Sequence, residues 1–259
     1  AAWDDVIPTD VVGIVKAQLG ADYLGTHQRL DRDTSGVMVF ARRPAANAWL
    51  SAAFQDRTAV KEYLAVVCGA LPARGRIDAP IIPAGSGRQR VAPTDSADGH
   101  PGPAVTEYSV AARSPDGRFS LVRLRPLTGR THQLRVHLAH IGAPIVGDPL
   151  YDPHERFFPR LLLHAHRLTL PTPGGVLVIE APPPAIFASL VTDPGTLDAL
   201  QKVAGAGDWP LWLDERGDRL AAILALAADR RRPIAADDTA YRVLNGAGEG
   251  TPGLTVDRL

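Results

Sequence analysis

A dense polar segment at residues 29–36 (RLDRDTSG) leads directly into the apolar segment at 37–41 (VMVFA). The first segment carries carboxylates, guanidiniums and hydroxyls, and the second has the apolar, partly β-branched composition of a buried strand. A polar loop that continues into a core strand holds its side chains in fixed positions, as a reactive site requires. The sequence therefore predicts a loop at the edge of a packed sheet, with Asp31 as its reactive carboxylate.

The overall charge limits the classes of partner. Basic and acidic residues are equally numerous, 28 of each, which argues against a uniformly basic coat for nucleic acid. Between residues 113 and 170, however, arginine outnumbers Asp and Glu, which predicts a local patch that can bind phosphates. A single cysteine, Cys68, indicates a reducing compartment. With neither a membrane-length apolar stretch nor a signal peptide, we expect a cytoplasmic monomer that does not contact membranes.

Hydrophobic periodicity predicts short helices and strands in alternation. Helices are predicted at residues 11–19, 45–56 and 132–141, and strands at 37–41, 61–67, 105–111, 119–125, 161–170 and 176–181. Residues 71–102 are rich in Pro, Gly, Ser and Asp, which predicts turns with a short hairpin around 88–91. Thr131 is a suitable N-cap for the third helix, and this would place Arg130 at a helix N-terminus that favours an anion.

The C-terminal part of the chain differs in character. We predict one domain over residues 1–204, closed by a short helix at 197–203. Residues 205–259 read as a linker, a helix around 220–227 and the start of an incomplete second domain. In this tail the strands predicted at 241–246 and 253–257 begin without closing a sheet.

Several chemistries are open to Asp31 on the residues alone. Arg29 and Arg32 flank it and favour its ionised form, which can act as nucleophile, base or metal ligand. Asp31 and Asp33 also resemble the paired carboxylates that bind Mg²⁺ in haloacid-dehalogenase-type phosphatases. That family needs a strongly apolar strand just before the first Asp, and residues 26–30 (THQRL) do not supply one. The histidines provide no helix-face metal pair, and we predict no metal site.

A set of ordered motifs resembles the RluA-type pseudouridine synthases over about residues 24–185. The motifs are RLDRDTSG at 29–36, KEYLA at 61–65, TGRTHQLRVHL at 128–138, GDPLY at 147–151 and LLLHA at 161–165. One position departs from the family, which often has His directly before Arg-Leu-Asp. Here that position is Gln28, with His27 one residue earlier.

The resemblance implies an α+β pseudouridine synthase fold, a mixed and mainly antiparallel sheet flanked by helices with a central active-site cleft. It also implies isomerisation of specific uridines in structured RNA, rRNA or tRNA, without a cofactor. Asp31 would be the essential aspartate, Tyr63 would stack on the uracil, and Arg130 would pair with Asp31. Substrate-binding residues would be Arg29, Arg32, Thr34, Lys61, His132, Gln133, Arg135 and Leu163.

A second resemblance covers the tail at about residues 208–259. The segments at 241–246 and 250–258 resemble the region ahead of the catalytic domain in S-adenosylmethionine-dependent rRNA cytosine-5 methyltransferases. Two alternatives to the synthase remain open. One is a non-catalytic RNA-binding module with the same fold, and the other is the Mg²⁺-dependent phosphatase.

Overall fold

The computed structural model describes residues 10–93, 102–152, 158 and 160–192, together with the backbone of two short strands near the C-terminus. The helices are α1 (Val11–Leu19), α2 (Asn47–Gln55), α3 (Gln133–His140) and α4 (Ile186–Thr192). The strands of the first half are β1 (Gly25–Thr26), β2 (Ser35–Gly36), β3 (Met38–Ala41), β4 (Val60–Cys68), β5 (Arg74–Asp78), β6 (Ile81–Gly85) and β7 (Arg88–Val91). Those of the second half are β8 (Val105–Arg113), β9 (Phe119–Pro126), β10 (Leu163–Thr172), β11 (Gly175–Glu180), β12 (Tyr241–Leu244) and β13 (Val256–Arg258).

The principal sheet has the strand order β11-β10-β4-β9-β8-β5, and β2 pairs with β10 outside this path. Every pairing along the path is antiparallel, whereas β2 and β10 run parallel. The predicted α+β class with a mixed, mainly antiparallel sheet is therefore confirmed.

Helices cover both faces of this sheet. On one face, His137 of α3 bonds Thr106 of β8. On the other, the ring of Phe187 in α4 packs edge-to-face against His164 of β10 at 6.0 Å. Buried apolar residues of both helices and of the central strands form the largest core cluster. Burial of this apolar surface, rather than local propensity, holds these short helices in place.

A smaller sheet has the strand order β1-β3-β12-β13. The strand β12 pairs in parallel with β3, and β13 pairs antiparallel with β12. The strands predicted near residues 241 and 256 are thus present. The helices predicted at 197–203 and 220–227 lie outside the described residues, and the division at residue 204 stays a prediction.

Between residues 71 and 93 the prediction of turns is wrong in part. The strand β5 forms the edge of the principal sheet, and Gly75 sits opposite Tyr108 of β8. A side chain at Gly75 would overlap the Tyr108 ring, with 2.4 Å to the nearest ring atoms. Glycine is therefore required in this strand for close packing, although its presence in the sequence suggested a turn. The predicted hairpin exists as β6 and β7. None of the described helices is both long and apolar enough to cross a membrane.

Candidate active site

The loop that carries Asp31 is anchored at its C-terminal end by the principal sheet. Ser35 and Gly36 pair in parallel with His164 and Ala165 of β10. Gly36 has a φ of +117°, and a Cβ there would lie 2.2 Å from the carbonyl oxygen of Ala165. Only glycine permits this approach, so the backbone after Asp31 is fixed by direct contact with a core strand.

A buried histidine reinforces this anchor. The Oγ of Ser35 lies 2.8 Å from Nδ1 of His164 and accepts a hydrogen bond of 2.6 Å from Nη2 of Arg160. The Nε2 of His164 lies 3.2 Å from the carbonyl oxygen of Ala181, so it carries the proton of the neutral ring. Burial lowers the pKa of His164 to about 4, despite the favourable Ala181 hydrogen bond. His164 is therefore a neutral acceptor for the Ser35 hydroxyl at physiological pH.

Asp31 faces an arginine from helix α3. Its Oδ2 lies 3.7 Å from Nη1 of Arg135, and the two side chains are 26% and 3% exposed, respectively. The expectation that Arg130 pairs with Asp31 is wrong, because Arg130 is exposed and its Nε donates to the carbonyl oxygen of Pro103 at 3.4 Å. Arg130 precedes helix α3, whereas Arg135 lies within it, among the consecutive buried residues 133–138.

A second carboxylate holds Arg135 in place. The Oδ2 and Oδ1 atoms of Asp148 accept hydrogen bonds of 2.8 and 2.7 Å from Nε and Nη2 of Arg135. Asp148 itself accepts from the backbone N–H groups of Leu150 and Tyr151. Burial opposes the charge of Arg135, but the hydrogen bonds and charge of Asp148, with the charge of Asp31, raise its pKa. The bidentate pair leaves Nη1 to face Asp31.

Tyr63 lies on β4, close enough for the charge of Asp31 to act on its phenol. Burial raises the pKa of its phenol, and the negative charge of Asp31 raises it further. The hydroxyl of Tyr63 therefore stays protonated at neutral pH. Leu163 of β10 is opposite Ala65, and Tyr63 is opposite Ala165, so Leu163 and Tyr63 lie on the same face of the sheet. Leu163 is 2% exposed.

The start of α3 is built differently from the prediction. Its N-cap is His132, with a φ of +54° and no side-chain cap, rather than Thr131. Gln133 instead organises the segment, since its Oε1 accepts from the hydroxyl of Thr128 and the N–H of Arg130. Its Nε2 donates to the carbonyl of Val105. Gln133, expected to bind substrate, thus fixes the Arg130 loop instead, and His132 bonds the hydroxyl of Tyr151.

The remaining predicted substrate-binding residues have varied surroundings. Arg29 and Arg32 are exposed on the Asp31 loop. Thr34 is buried, and its hydroxyl has no partner among the described residues. Lys61 of β4 is partly buried, and burial together with the charge of Arg57 lowers its pKa. The Lys61 ammonium lies close to Gly129, since a Cβ built on Gly129 would be 3.7 Å from Nζ of Lys61.

Sequence reasoning assigned no role to Asp148 or Tyr151. Tyr151 places its ring 5.2 Å from the guanidinium carbon of Arg135, a cation–π arrangement. Both residues belong to the GDPLY segment, which was recognised only as part of a motif. The sequence did contain a signal for both residues. Asp148 and Tyr151 lie in GDPLY, and Arg135 lies in TGRTHQLRVHL, another motif of the same family resemblance. Among the described residues, His, Cys, Asp and Glu form no group of three or more that could hold a metal.

Comparison with known proteins identifies the relatives of this chain. Residues 11–140 match the family model of RNA pseudouridylate synthases. The chain is 39% identical over 184 residues to the ribosomal large subunit pseudouridine synthase D of Pseudomonas aeruginosa, an alignment that covers 65% of this chain and 56% of that protein. It is 42% identical over 161 residues to the dual-specificity RNA pseudouridine synthase RluA of Escherichia coli, which covers 60% and 71% of the two chains. It therefore spans about half the length of several curated relatives, such as 56% of the first and 50% of a Chloroflexus aurantiacus relative.

Solved structures agree with these sequence relationships. The human RNA pseudouridylate synthase domain containing 1 superposes with a TM-score of 0.60 at 28% identity, covering 77% of this chain and 81% of that one. The human RNA pseudouridylate synthase domain containing 4 gives a TM-score of 0.56 at 30% identity, with coverages of 65% and 75%. The pseudouridine synthase fold implied by the motifs is thus confirmed, and the chain belongs to the RNA pseudouridylate synthase family.

Proposed function

We propose that this chain isomerises specific uridines in structured RNA, rRNA or tRNA, to pseudouridine. The observation that carries the proposal is the contact of Asp31 with Arg135, within a site that also holds Tyr63. Family membership supports the same reaction. The reaction breaks the bond between ribose C1′ and uracil N1, forms one between C1′ and uracil C5, and moves the C5 proton to N1. Because substrate and product are isomers, neither a redox partner nor a metal is required.

Asp31 supplies the reactive carboxylate in this proposal. The guanidinium of Arg135 attracts the carboxylate and helps to orient it, and partial exposure leaves the carboxylate open to a substrate. It acts as nucleophile or base, on the ribose or on the uracil ring. Arg135, rather than Arg130, takes the role of orienting Asp31.

The uracil is held by the residues around Asp31. Tyr63 stacks on the base, and the buried Leu163 on the same sheet face belongs to the apolar core against which Tyr63 packs. Because the Tyr63 phenol is protonated, it can donate a hydrogen bond but is a poor base in the free enzyme. Arg29 is exposed on the Asp31 loop and fills the space that the flipped nucleotide leaves in the RNA. Arg32 and Lys61 contact the flanking nucleotides, whereas Thr34, whose side chain is buried, lies beneath the surface of the Asp31 loop.

Phosphate binding rests on exposed arginines. Arg123 and Arg125 project from the same face of β9, and Arg74 and Arg76 do so from β5 across the intervening strand. Glu107 lies between them, 3.7 Å from Arg76 and 3.9 Å from Arg125, and offsets part of their charge. Because Tyr63 is opposite Leu124, these arginines lie on the sheet face away from Tyr63. Their remaining positive charge favours phosphates of the RNA that are distant from the target uridine, with an affinity that falls as salt rises.

The phosphatase alternative conflicts with the surroundings of Asp31. That chemistry needs two carboxylates around a divalent cation. Here the side chain facing Asp31 is the cationic Arg135, which repels a cation, while Asp33 is exposed. We therefore propose catalysis that needs neither metal nor cofactor.

The test is carbodiimide labelling of pseudouridine in total RNA incubated with the full chain in EDTA. Asp31→Asn is the active-site variant. Asp33→Asn, an exposed carboxylate of the same loop, is the matched control. Label at discrete uridines with the wild type and Asp33→Asn, and none with Asp31→Asn, is the expected result, and the labelled position identifies the RNA. RNA binding by both variants without any label would instead favour the non-catalytic RNA-binding module.

We also propose that residues 205–259 begin a second, methyltransferase-like domain joined to the synthase domain of residues 1–204, and that the chain acts as a cytoplasmic monomer. The support for the second domain is the sequence similarity of the tail segments. A chain ending at residue 204 tests this division, because it also removes β12, which pairs with β3 after the Asp31 loop, and retained isomerase activity would show that the first domain is complete without the tail. Light scattering of the full chain should report the mass of one 27.6 kDa copy.

A further inference from the structure

Tyr151 contacts two separate parts of the molecule. Its ring covers Arg135, with 5.2 Å from the guanidinium carbon to the ring centroid. Its hydroxyl lies 2.8 Å from Nδ1 of His132 and accepts a hydrogen bond of 2.9 Å from the backbone N–H of Gln89. Because the phenol oxygen accepts from Gln89, its own proton is available to His132. One side chain thus links Arg135, the start of α3 and strand β7.

The hairpin formed by β6 and β7 is not part of the principal sheet. Its residues Ile81 and Val91 pack with Val136 of α3 and with Tyr151 in a small cluster, and Val91 also packs against the main core. Its tip turns through Gly85, Ser86 and Gly87, which all have positive φ. A two-stranded hairpin is only marginally stable alone, so its placement depends on such contacts. The Tyr151 hydroxyl adds a directional contact, because it accepts the hydrogen bond from the backbone N–H of Gln89.

The hairpin also carries exposed positive charge. Arg88 and Arg90 are both exposed on β7, on either side of Gln89. Since residues alternate along a strand, these two side chains point away from the face of Gln89. They are therefore available to an RNA phosphate backbone near the site.

We propose that Tyr151 is a positioning residue that sets the β6–β7 hairpin at a fixed place relative to the Arg135–Asp31 pair. The inference rests on the proposed isomerase function, for which Arg135 orients Asp31. The ring of Tyr151 restricts the guanidinium of Arg135, and its hydroxyl fixes the hairpin backbone through Gln89. RNA held by Arg88 and Arg90 is thereby presented to Asp31 in one register.

Two variants separate the contributions of the ring and the hydroxyl. Tyr151→Phe keeps the ring over Arg135 and removes both hydrogen bonds, whereas Tyr151→Leu removes the ring as well. Tyr108→Phe is the matched control, because Tyr108 lies in the sheet core opposite Leu124 and outside the proposed site. Thermal unfolding of each full-length variant establishes that it is folded.

Hydrogen exchange at Gln89 is measured first, because it does not require activity. Loss of one hydrogen bond should speed exchange about fivefold or more in Tyr151→Phe and leave it unchanged in Tyr108→Phe. Single-turnover isomerisation at saturating RNA should fall about tenfold in Tyr151→Phe and about a hundredfold in Tyr151→Leu, with the RNA Kd changed by less than about threefold.

Unchanged exchange at Gln89, or wild-type single-turnover rates in both Tyr151 variants, would overturn the inference. A loss of thermal stability without a change in rate would also overturn it, since Tyr151 would then be merely structural. A wild-type chain that makes no pseudouridine would contradict the proposed function. The exchange at Gln89 would still decide whether Tyr151 holds the hairpin.

Discussion

Arg135 is shared unequally between two carboxylates, with Nε and Nη2 at 2.8 and 2.7 Å from Asp148 and Nη1 at 3.7 Å from Asp31. Asp148 is fully buried, whereas Asp31 is partly exposed. The short contacts therefore hold the arginine, and the longer contact leaves Asp31 free to engage a substrate. This division of roles within one guanidinium explains why an arginine, with its planar fork of donors, occupies the position.

Replacement of the two arginines should distinguish their roles. Arg135→Lys keeps the charge but cannot satisfy both carboxylates, and we expect the single-turnover rate to fall at least about a hundredfold. Arg130→Ala removes an exposed side chain and should lower the rate less than about tenfold, mainly through weaker RNA binding. Carbodiimide labelling over time measures both rates. A larger loss for Arg130→Ala than for Arg135→Lys would contradict this assignment.

Loss of the buried carboxylate should destabilise the fold. Asp148→Asn leaves Arg135 buried without its charged partner, and we expect a loss of about 3–5 kcal/mol in the free energy of unfolding. Asp78→Asn is the control, because Asp78 is 59% exposed in an ion pair with Arg76 and should cost less than about 1 kcal/mol. Urea denaturation measures both values. Equal losses would show that Asp148 acts as an ordinary surface charge.

Gly36 should not tolerate a side chain. Gly36→Ala combines a positive φ with a Cβ that would be 2.2 Å from the Ala165 carbonyl, so β2 must leave β10. We expect loss of activity and a larger stability loss than in Gly87→Ala, where φ is also positive but the space is open. The control should cost about 1–2 kcal/mol, the backbone strain alone. Similar unfolding midpoints for the two variants would contradict the steric argument.

The stability of the protein should fall in mild acid. His164 is 3% exposed, and burial lowers its pKa to about 4 in the native state, whereas the unfolded chain takes up the proton near pH 6.5. The contribution of His164 should therefore decrease as pH falls from 6.5 to about 4 and then level off. This histidine should account for about 3 kcal/mol of the loss.

Thermal unfolding in a pH series would test this dependence. Burial also lowers the pKa of His137, so part of the slope belongs to that residue. His164→Gln should flatten the remainder. A variant slope equal to that of the wild type would exclude His164 as its source.

Much of the sheet was predictable because alternating burial follows from sequence pattern. The strand Phe119–Pro126 alternates buried and exposed residues as its sequence indicates. The strand Arg74–Asp78 was missed because Ile77 is its only strongly apolar residue and Gly75 resembled a turn. The close fit of Gly75 to Tyr108 is a tertiary requirement, and local propensity cannot report it.

The sequence identified the motifs that form the site, but it did not predict which side chains contact each other within it. Arg130 and Arg135 occur in the same motif, and an assumed helix start at Thr131 made Arg130 the natural partner for an anion. The left-handed His132 delays the helix to Gln133, and Arg135 lies in the part of the helix where residues 133–138 are all buried. The position of Asp148 depends on a turn that reaches Arg135 only in the folded chain, so no local pattern could reveal it.

The parallel pairing of Ser35 with β10 has a consequence for the order of events during synthesis. Ser35 and His164 are 129 residues apart in the chain. When a nascent chain has emerged from the ribosome through α3, it already contains Asp31, Tyr63 and Arg135. It still lacks β10, the strand that anchors the Asp31 loop. A nascent chain of that length should therefore bind RNA, if at all, without modifying it, and modification should begin only after β10 emerges.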